Sequence, residues 1–300
     1  MDAGEENDMK LATFSDGKGV RIGVAKGDGI VDLSAAAPGL PTTLKGLLAA
    51  GDGALAEAQA AAQKADDVIP LSAITLKAPI PDPGKVLAIG LNYGDHIAET
   101  GMTAPEHQVW FNKQRNCIND PYGDVNDPVV SDMLDYEAEM CFVIGKRCKH
   151  VPRERAHEVI AGFCCGNDVT VRDWQLRSPT MQIGKSFDTH GPLGPWLVTP
   201  DEVGDPHDLN VKCWVNGEER QSSNTKHLIF DCYDQIAHLS QSFTLDVGDV
   251  IFSGTPAGVG IAMKPAQYMK AGDVVRVEIE KLGALENKIV PEDGKTIIEG

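Results

Sequence analysis

Basic side chains, long apolar runs and paired cysteines are all scarce in this 300-residue chain. Lysine and arginine total 27 against 44 aspartates and glutamates, a formal net charge of −17. Non-specific affinity for DNA or RNA rests on neutralising phosphates, so a whole-surface match to nucleic acid is excluded. The same deficit disfavours docking on anionic lipid. No apolar stretch approaches the roughly 18 to 20 residues that span a bilayer. The opening MDAGEENDMK is acidic where a secretory signal is basic and then apolar, so a cytoplasmic protein is expected. Met9 reads as the natural start, with the first eight residues a floppy leader. The seven cysteines, Cys117, Cys141, Cys148, Cys164, Cys165, Cys213 and Cys232, form an odd set without a CxxC. That fits neither a disulfide framework nor a zinc site, and most should be small buried apolar residues. Regular alternation of strand and helix is also missing, which argues against a doubly wound parallel sheet.

What is present is a folded, turn-rich chain, with 31 glycines and 18 prolines and no collagen-like period. The segments LATFSDGKG, VRIGVAKGDG and IVDLS read as short strands joined by Gly-Asp and Asp-Gly turns, hence hairpins. TTLKGLLAAGDGALAEAQAAAQKA follows, rich in Ala and Leu, with Thr42 or Thr43 placed to cap one or two helices. The three prolines of LKAPIPDPGK then prevent regular hydrogen bonding. This divides the chain into a small N-terminal accessory domain over 1–75, a linker over 76–84 and a main domain over 85–300. In the main domain strand-like runs recur as KVLAIGLN, EMCFVIG, VIAGFCCG, GPWLVT, NVKCWVNG, DVIFSG and DVVRVEIE. Helices are expected at PRERAHEVIAGF and KHLIFDCYDQIAHLSQ. The balance predicts a β-rich α+β protein.

Five segments carry candidate chemistry. In LDYEAEMCFVIGK, strand alternation puts Glu137 and Glu139 on one face, continued by Cys141 and Val143 into an apolar run. Two carboxylates so placed are either solvated at the strand's end or bridged by a cation. IAGFCCGNDVTVRDW leads an apolar run into Asp168, a third carboxylate where a strand leaves the core. Three carboxylates without a His or Cys ligand set describe a hard-cation site for Mg²⁺, Mn²⁺ or Ca²⁺, although Asp168 alone would suit a turn or cap. In LNYGDHIAET, His96 and Glu99 stand at i, i+3, so on a helical turn the carboxylate can orient the imidazole as a general base. The alternative is an ordinary surface pair. Lys185 in QIGKSFDTHGPLGPW sits in a Gly- and Pro-rich loop where Pro179 replaces the first Walker A glycine. It is either a fixed cation or a solvated loop lysine. DVIFSGTPAGVG runs from a strand into a Gly-punctuated turn with Ser253 and Thr255, able to offer amides and hydroxyls to an acid group.

Together, GLNYGDHIAE, YEAEM, GNDVTVRDWQ, GKSFDTHGPLGPW and SGTPAGVG, in this order over nearly all of Lys85 to Val290, resemble the fumarylacetoacetate hydrolase family. The resemblance implies that family's mixed β-roll, usually a homodimer, with carboxylate-bound Mg²⁺ or Mn²⁺. It assigns the metal to Glu137, Glu139 and Asp168, the catalytic dyad to His96 and Glu99, and the fixed cation to Lys185. Thr255 would touch the substrate's acid group, and Asn92 and Tyr93 would begin a mobile loop that orders as a lid over substrate. The chain departs from the family pattern at FNKQRNCINDPYGDV, where Gln114 and Arg115 are expected to favour a more polar or hydroxylated substrate. The implied reaction is hydrolysis of a carbon–carbon bond in a 2,4-diketo acid, an acylpyruvate or a sugar-derived acid, to pyruvate and a second acid. Oxaloacetate decarboxylation or isomerisation of an oxo diacid is the alternative within the same chemistry.

Overall fold

The structure, a computed structural model, describes residues 9–100, 103 and 105–298. The expected leader, residues 1–8, lies outside them, as do positions 101, 102 and 104 in the segment expected to act as a lid.

The N-terminal hairpins form as the turn signals predict. Lys10–Ser15, Val20–Lys26 and Gly29–Asp32 pair antiparallel in succession. Thr43 caps the helix Leu44–Ala49 by accepting from the Gly46 amide, and a second helix runs Asp52–Lys64. The proline-rich stretch does not interrupt the sheet, however. Lys10–Ser15 also pairs with Gly191–Val198, with Leu11 opposite Leu197. Thr13 donates its hydroxyl to the Pro79 carbonyl, and Ala78 and Ile80 are buried in the same apolar cluster as Leu44, Leu47 and Val143. The prolines mark a place where regular pairing stops, and hydrophobic burial carries the core straight across it.

One large sheet runs, strand by neighbouring strand, from the N-terminal hairpins through Gly191–Val198, Ile160–Asn167, Ala138–Ile144, Val250–Phe252 and Val86–Gly90 to Val109–Lys113. A second sheet holds Glu218–Asn224, Asn210–Val215, Val274–Ile279, Gly283–Pro291 and Val125–Asp127. The fold is α+β and strand-rich. Every residue of Ala138–Ile144 is buried, because this strand is covered on both faces. Ala138, Met140, Phe142 and Ile144 pack with Val211, Val277 and Leu285 of the second sheet. Cys141 and Val143 point the other way, toward Leu44 and Leu47 of the N-terminal layer. Six of the seven cysteines are buried and all are free.

Two expected helices differ. PRERAHEV forms a 3₁₀ stretch, Arg153–Val159, and the β-branched Val159 and Ile160 lead directly into the strand Ile160–Asn167. The last helix begins only at Cys232, where Asp231 accepts from the Tyr233 and Asp234 amides and the Asp234 side chain accepts from the Asp231 amide. Glu218–Asn224 and Gly283–Pro291 were not expected as strands, since half of each faces solvent and reads as polar.

Candidate metal and acid–base site

The central strand pair builds the site. Ala138 lies opposite Asn167 in the ladder, and just beyond that pair the Glu137 amide donates to Asn167 Oδ1 at 3.0 Å and the Asp168 amide to the Glu137 carbonyl at 2.9 Å. This crossed tie brings Asp168 beside Glu137, while two-residue alternation puts Glu139 on the same face. One carboxylate oxygen from each of Glu137, Glu139 and Asp168 falls within 4.8 Å of the others, and all three side chains are buried. Close approach needs a bare backbone at Gly166, where an added Cβ would sit 2.3 Å from Cys141 Sγ.

Their electrostatics differ. Burial pushes the Glu139 carboxyl well above the ordinary range, and repulsion from Asp168 and Glu137 pushes it further. Among the described residues its close donor is the Gly254 amide, 2.7 Å away. Burial also opposes ionisation of Glu137, but Lys185 and Arg172 outweigh it and hold that carboxyl below its usual range. Lys185 Nζ lies 2.7 Å from Glu137 Oε2 and 2.8 Å from Asp168 Oδ2. Clustered buried carboxylates of which one is short of compensating charge fit a hard divalent cation.

Two further buried cations belong to the site and were not singled out from the sequence. Lys113, at the end of the strand Val109–Lys113, bonds Asp168 Oδ1 at 2.6 Å and the carbonyls of Lys185 and His190. Arg172 bonds Asp135 Oδ2 at 2.8 Å, Glu137 Oε1 at 2.7 Å and Gln175 Oε1 at 3.0 Å. Its Nη2 is buried and has no hydrogen-bond partner. Arg172 lies within the GNDVTVRDWQ segment, and alternation places Lys113 on the face of the buried Phe111; both signals were in the sequence.

His96 and Glu99 lie on the helix Gly94–Thr100, with Nδ1 of the imidazole 3.5 Å from Glu99 Oε2. Both Glu99 oxygens accept from the Gly258 amide at 3.0 Å. Gly258 has φ +103°, and a Cβ there would lie 1.9 Å from the Arg220 carbonyl oxygen, so only glycine can present this amide. His96, Glu99, Glu137, Arg172, Lys185 and Thr255 all line one cavity of about 520 Å³, whose apolar wall includes Ile89, Phe111, Leu176, Met181 and Met263. The Thr255 hydroxyl donates to the Ala138 carbonyl and accepts from Gln221.

Three residues expected to contact substrate do not line this cavity. Asn92 is fully buried, and its side-chain amide is used in bonds to the Phe230 and Ser253 carbonyls and from the Phe230 amide. Tyr93 is also fully buried and does not line the cavity; burial raises its phenol's pKa, with the charges of Glu139 and Asp95 adding to the effect. Arg115 is exposed on a 3₁₀ turn and lines a separate hollow with Gly84, Lys85 and Gln182.

A family model described as fumarylacetoacetate (FAA) hydrolase C-terminal matches residues 85–290. The chain is 42% identical over 288 residues to "Oxaloacetate tautomerase fahd2, mitochondrial" of Xenopus laevis, covering 94% of this chain and 90% of that protein. It is 44% identical over 265 residues to "Oxaloacetate tautomerase Fahd2a, mitochondrial" of Rattus norvegicus, covering 88% and 85%. Among solved structures, maleylpyruvate hydrolase from Sphingobium sp. SYK-6, in complex with manganese(II) ion and pyruvate, is 32% identical with a TM-score of 0.81, covering 95% of this chain and 100% of that one. Fumarylacetoacetate hydrolase from Exiguobacterium antarcticum is 33% identical, with the same TM-score and coverage. The cytoplasmic expectation is overturned, since these oxaloacetate tautomerases are named as mitochondrial. An acidic start and a lack of apolar runs say nothing about organelles. Among the described residues, no helix is long and apolar enough to cross a membrane.

Proposed function

The chain belongs to the fumarylacetoacetate hydrolase family, and from that premise we propose that it is an Mg²⁺- or Mn²⁺-dependent enzyme that moves a proton at C3 of oxaloacetate, interconverting its enol and keto forms. The observation that carries this reading is His96, backed by Glu99, on the wall of the cavity that also holds the carboxylate cluster and Lys185. Tautomerisation needs one acid–base group beside an activated 2-oxo acid and no attacking water. The names of relatives more than 40% identical support the same reaction.

Glu137, Glu139 and Asp168 would hold the cation, which when bound polarises the carboxylate and 2-oxo oxygens of the ligand. With Nδ1 turned toward Glu99, His96 presents Nε2 to the ligand, takes a proton from C3 and returns one to the enol oxygen. Glu99 steadies the charged imidazole, and the Gly258 amide fixes Glu99. Lys185 adds positive charge where the enolate develops. The wall formed by Ile89, Phe111 and Met181 keeps water from the reacting carbons.

Hydrolysis of a 2,4-diketo acid is the second reading, supported by the likeness to the manganese- and pyruvate-bound maleylpyruvate hydrolase. The same base would then activate water. The deciding experiment follows the ultraviolet absorbance of enol-oxaloacetate with and without chelator, while pyruvate is assayed from oxaloacetate and from a panel of 2,4-diketo acids. Metal-dependent enol loss without pyruvate supports tautomerisation. Pyruvate from oxaloacetate means decarboxylation, and pyruvate from diketo acids alone favours the hydrolase. The reading includes a homodimer, which sedimentation velocity measures.

A further inference from the structure

Three cations line the cavity, and two are already committed to protein carboxylates. Lys185 is shared by Glu137 and Asp168, and Arg172 by Asp135 and Glu137. The third is Lys264, exposed at the cavity's rim; among the described residues it makes no ion pair and no side-chain hydrogen bond. In a protein of net charge −17 an uncommitted cation at the mouth of an anion-binding cavity is a local inversion of the field.

The backbone that carries Lys264 is tied to the reacting end of the cavity. Asp135 is fully buried and accepts from the Gly260 amide at 2.8 Å, the Ile261 amide at 2.9 Å and Arg172 Nε at 2.8 Å. One carboxylate thus joins the Gly260–Ala262 turn to the arginine that holds Glu137. Gly260 also packs so closely that a Cβ would lie 2.0 Å from the Gln267 carbonyl oxygen. Arg220 Nη1 approaches Met263 Sδ at 3.0 Å from the outside. Lys264 is therefore an exposed side chain on a tied backbone, lining the same cavity as Glu137.

We propose that Lys264 is the specificity-determining residue that receives the distal carboxylate of the substrate, so that the cavity selects 2-oxo dicarboxylates over 2-oxo monocarboxylates. This rests on the reading of the site as one that takes the 2-oxo acid end at the carboxylate cluster. A distal carboxylate placed against the half-buried Ile261 and Met263 without a counter-charge would be penalised, and Lys264 supplies that charge without distorting any existing pair.

The test compares oxaloacetate with its 4-methyl ester, which keeps the reacting centre and loses the distal charge, in wild type, Lys264→Gln, Lys264→Glu and Lys264→Arg. Lys264→Gln should lower kcat/KM for oxaloacetate about fivefold or more while leaving the ester within about twofold, the size of one partly exposed ion pair. Lys264→Glu should lower it further, and Lys264→Arg should restore it. In parallel, calorimetry of the Mn²⁺-loaded protein with 2-oxoglutarate and 2-oxobutyrate should show a preference for the diacid that Lys264→Gln abolishes. Equal losses on both substrates, or an unchanged diacid preference in Lys264→Gln, overturn the role of Lys264. A wild type that turns over neither substrate overturns the proposed reaction instead, and the binding preference then decides Lys264 by itself.

Discussion

Lys113 Nζ lies 2.6 Å from Asp168 Oδ1, and both side chains are completely shielded from solvent. The same ammonium also bonds the carbonyls of Lys185 and His190, so one side chain fixes a candidate metal ligand and the loop carrying the neighbouring cation.

Replacing Lys113 with Met leaves the Asp168 oxygen buried with only Lys185 opposite. Breaking a buried pair in this way costs about 3 to 5 kcal/mol, read by urea denaturation. In the fraction that stays folded, affinity for Mn²⁺ should fall roughly 10- to 100-fold, because a group that orients a ligand has been lost.

Glu139→Gln removes the carboxylate least compensated by protein cations. Calorimetric titration with Mn²⁺ should show binding reduced beyond roughly 100-fold, with turnover negligible at millimolar metal. Near wild-type kcat at saturating substrate would contradict the metal assignment.

His96→Gln removes the base without touching the carboxylates. The turnover rate should fall by about 10² to 10⁴, with Mn²⁺ affinity unchanged. Glu99→Gln should lose less, since it keeps an acceptor for the Gly258 amide.

Gly258→Ala acts at a distance on the same pair. The backbone there has φ +103°, and the added methyl meets the Arg220 carbonyl, so the amide that holds Glu99 must shift. Unfolding should become easier by at least about 1 kcal/mol, and kcat should fall more than KM changes.

His190 supplies a pH dependence. Burial lowers its pKa from 6.5 to about 4, while its Nε2 faces the Asn126 carbonyl at 2.8 Å. The unfolded chain takes up the proton first, so the stability is intact above pH 6.5 and is lost as pH falls from there toward 4. The loss is on the order of 3 kcal/mol, measured as the change in urea midpoint with pH, and it should be largely absent in His190→Gln.

Alternation along Leu134 to Lys146 was enough to place Glu137 and Glu139 on one face, and the apolar run ending at Asp168 supplied the third carboxylate. Those signals survive because the strands carrying them are buried on both sides and tolerate few polar residues. Helix caps at Thr43 and Asp231 are local chemistry and equally visible, though only Thr43 was read. The placement of Asn92, Tyr93 and Arg115 away from the cavity lining was not legible, because motif membership does not say which way a side chain turns; Asn92 spends its amide on a loop more than a hundred residues away in sequence. Lys113 and Arg172 were obscured for the converse reason, since a buried cation is recognised by partners that only the fold brings near. The proline-rich stretch was legible because prolines are local, whereas the pairing of Leu11 with Leu197, between strands on either side of it, was not.

That last pairing has a consequence for synthesis. The first strand leaves the ribosome with its own hairpin partner, Val20–Lys26, close behind, and Thr75–Lys77 later pairs with the Thr13–Ser15 end of its other edge, but the partner of Lys10 and Leu11, Gly191–Val198, is made only after most of the candidate metal site. At about 5 to 20 residues per second, the Lys10–Leu11 end of that edge waits on the order of ten seconds or more unpaired. The backbone at Lys10 and the apolar Leu11 is then open to any passing strand, so a chaperone that covers this end of the strand during synthesis guards it against wrong pairing.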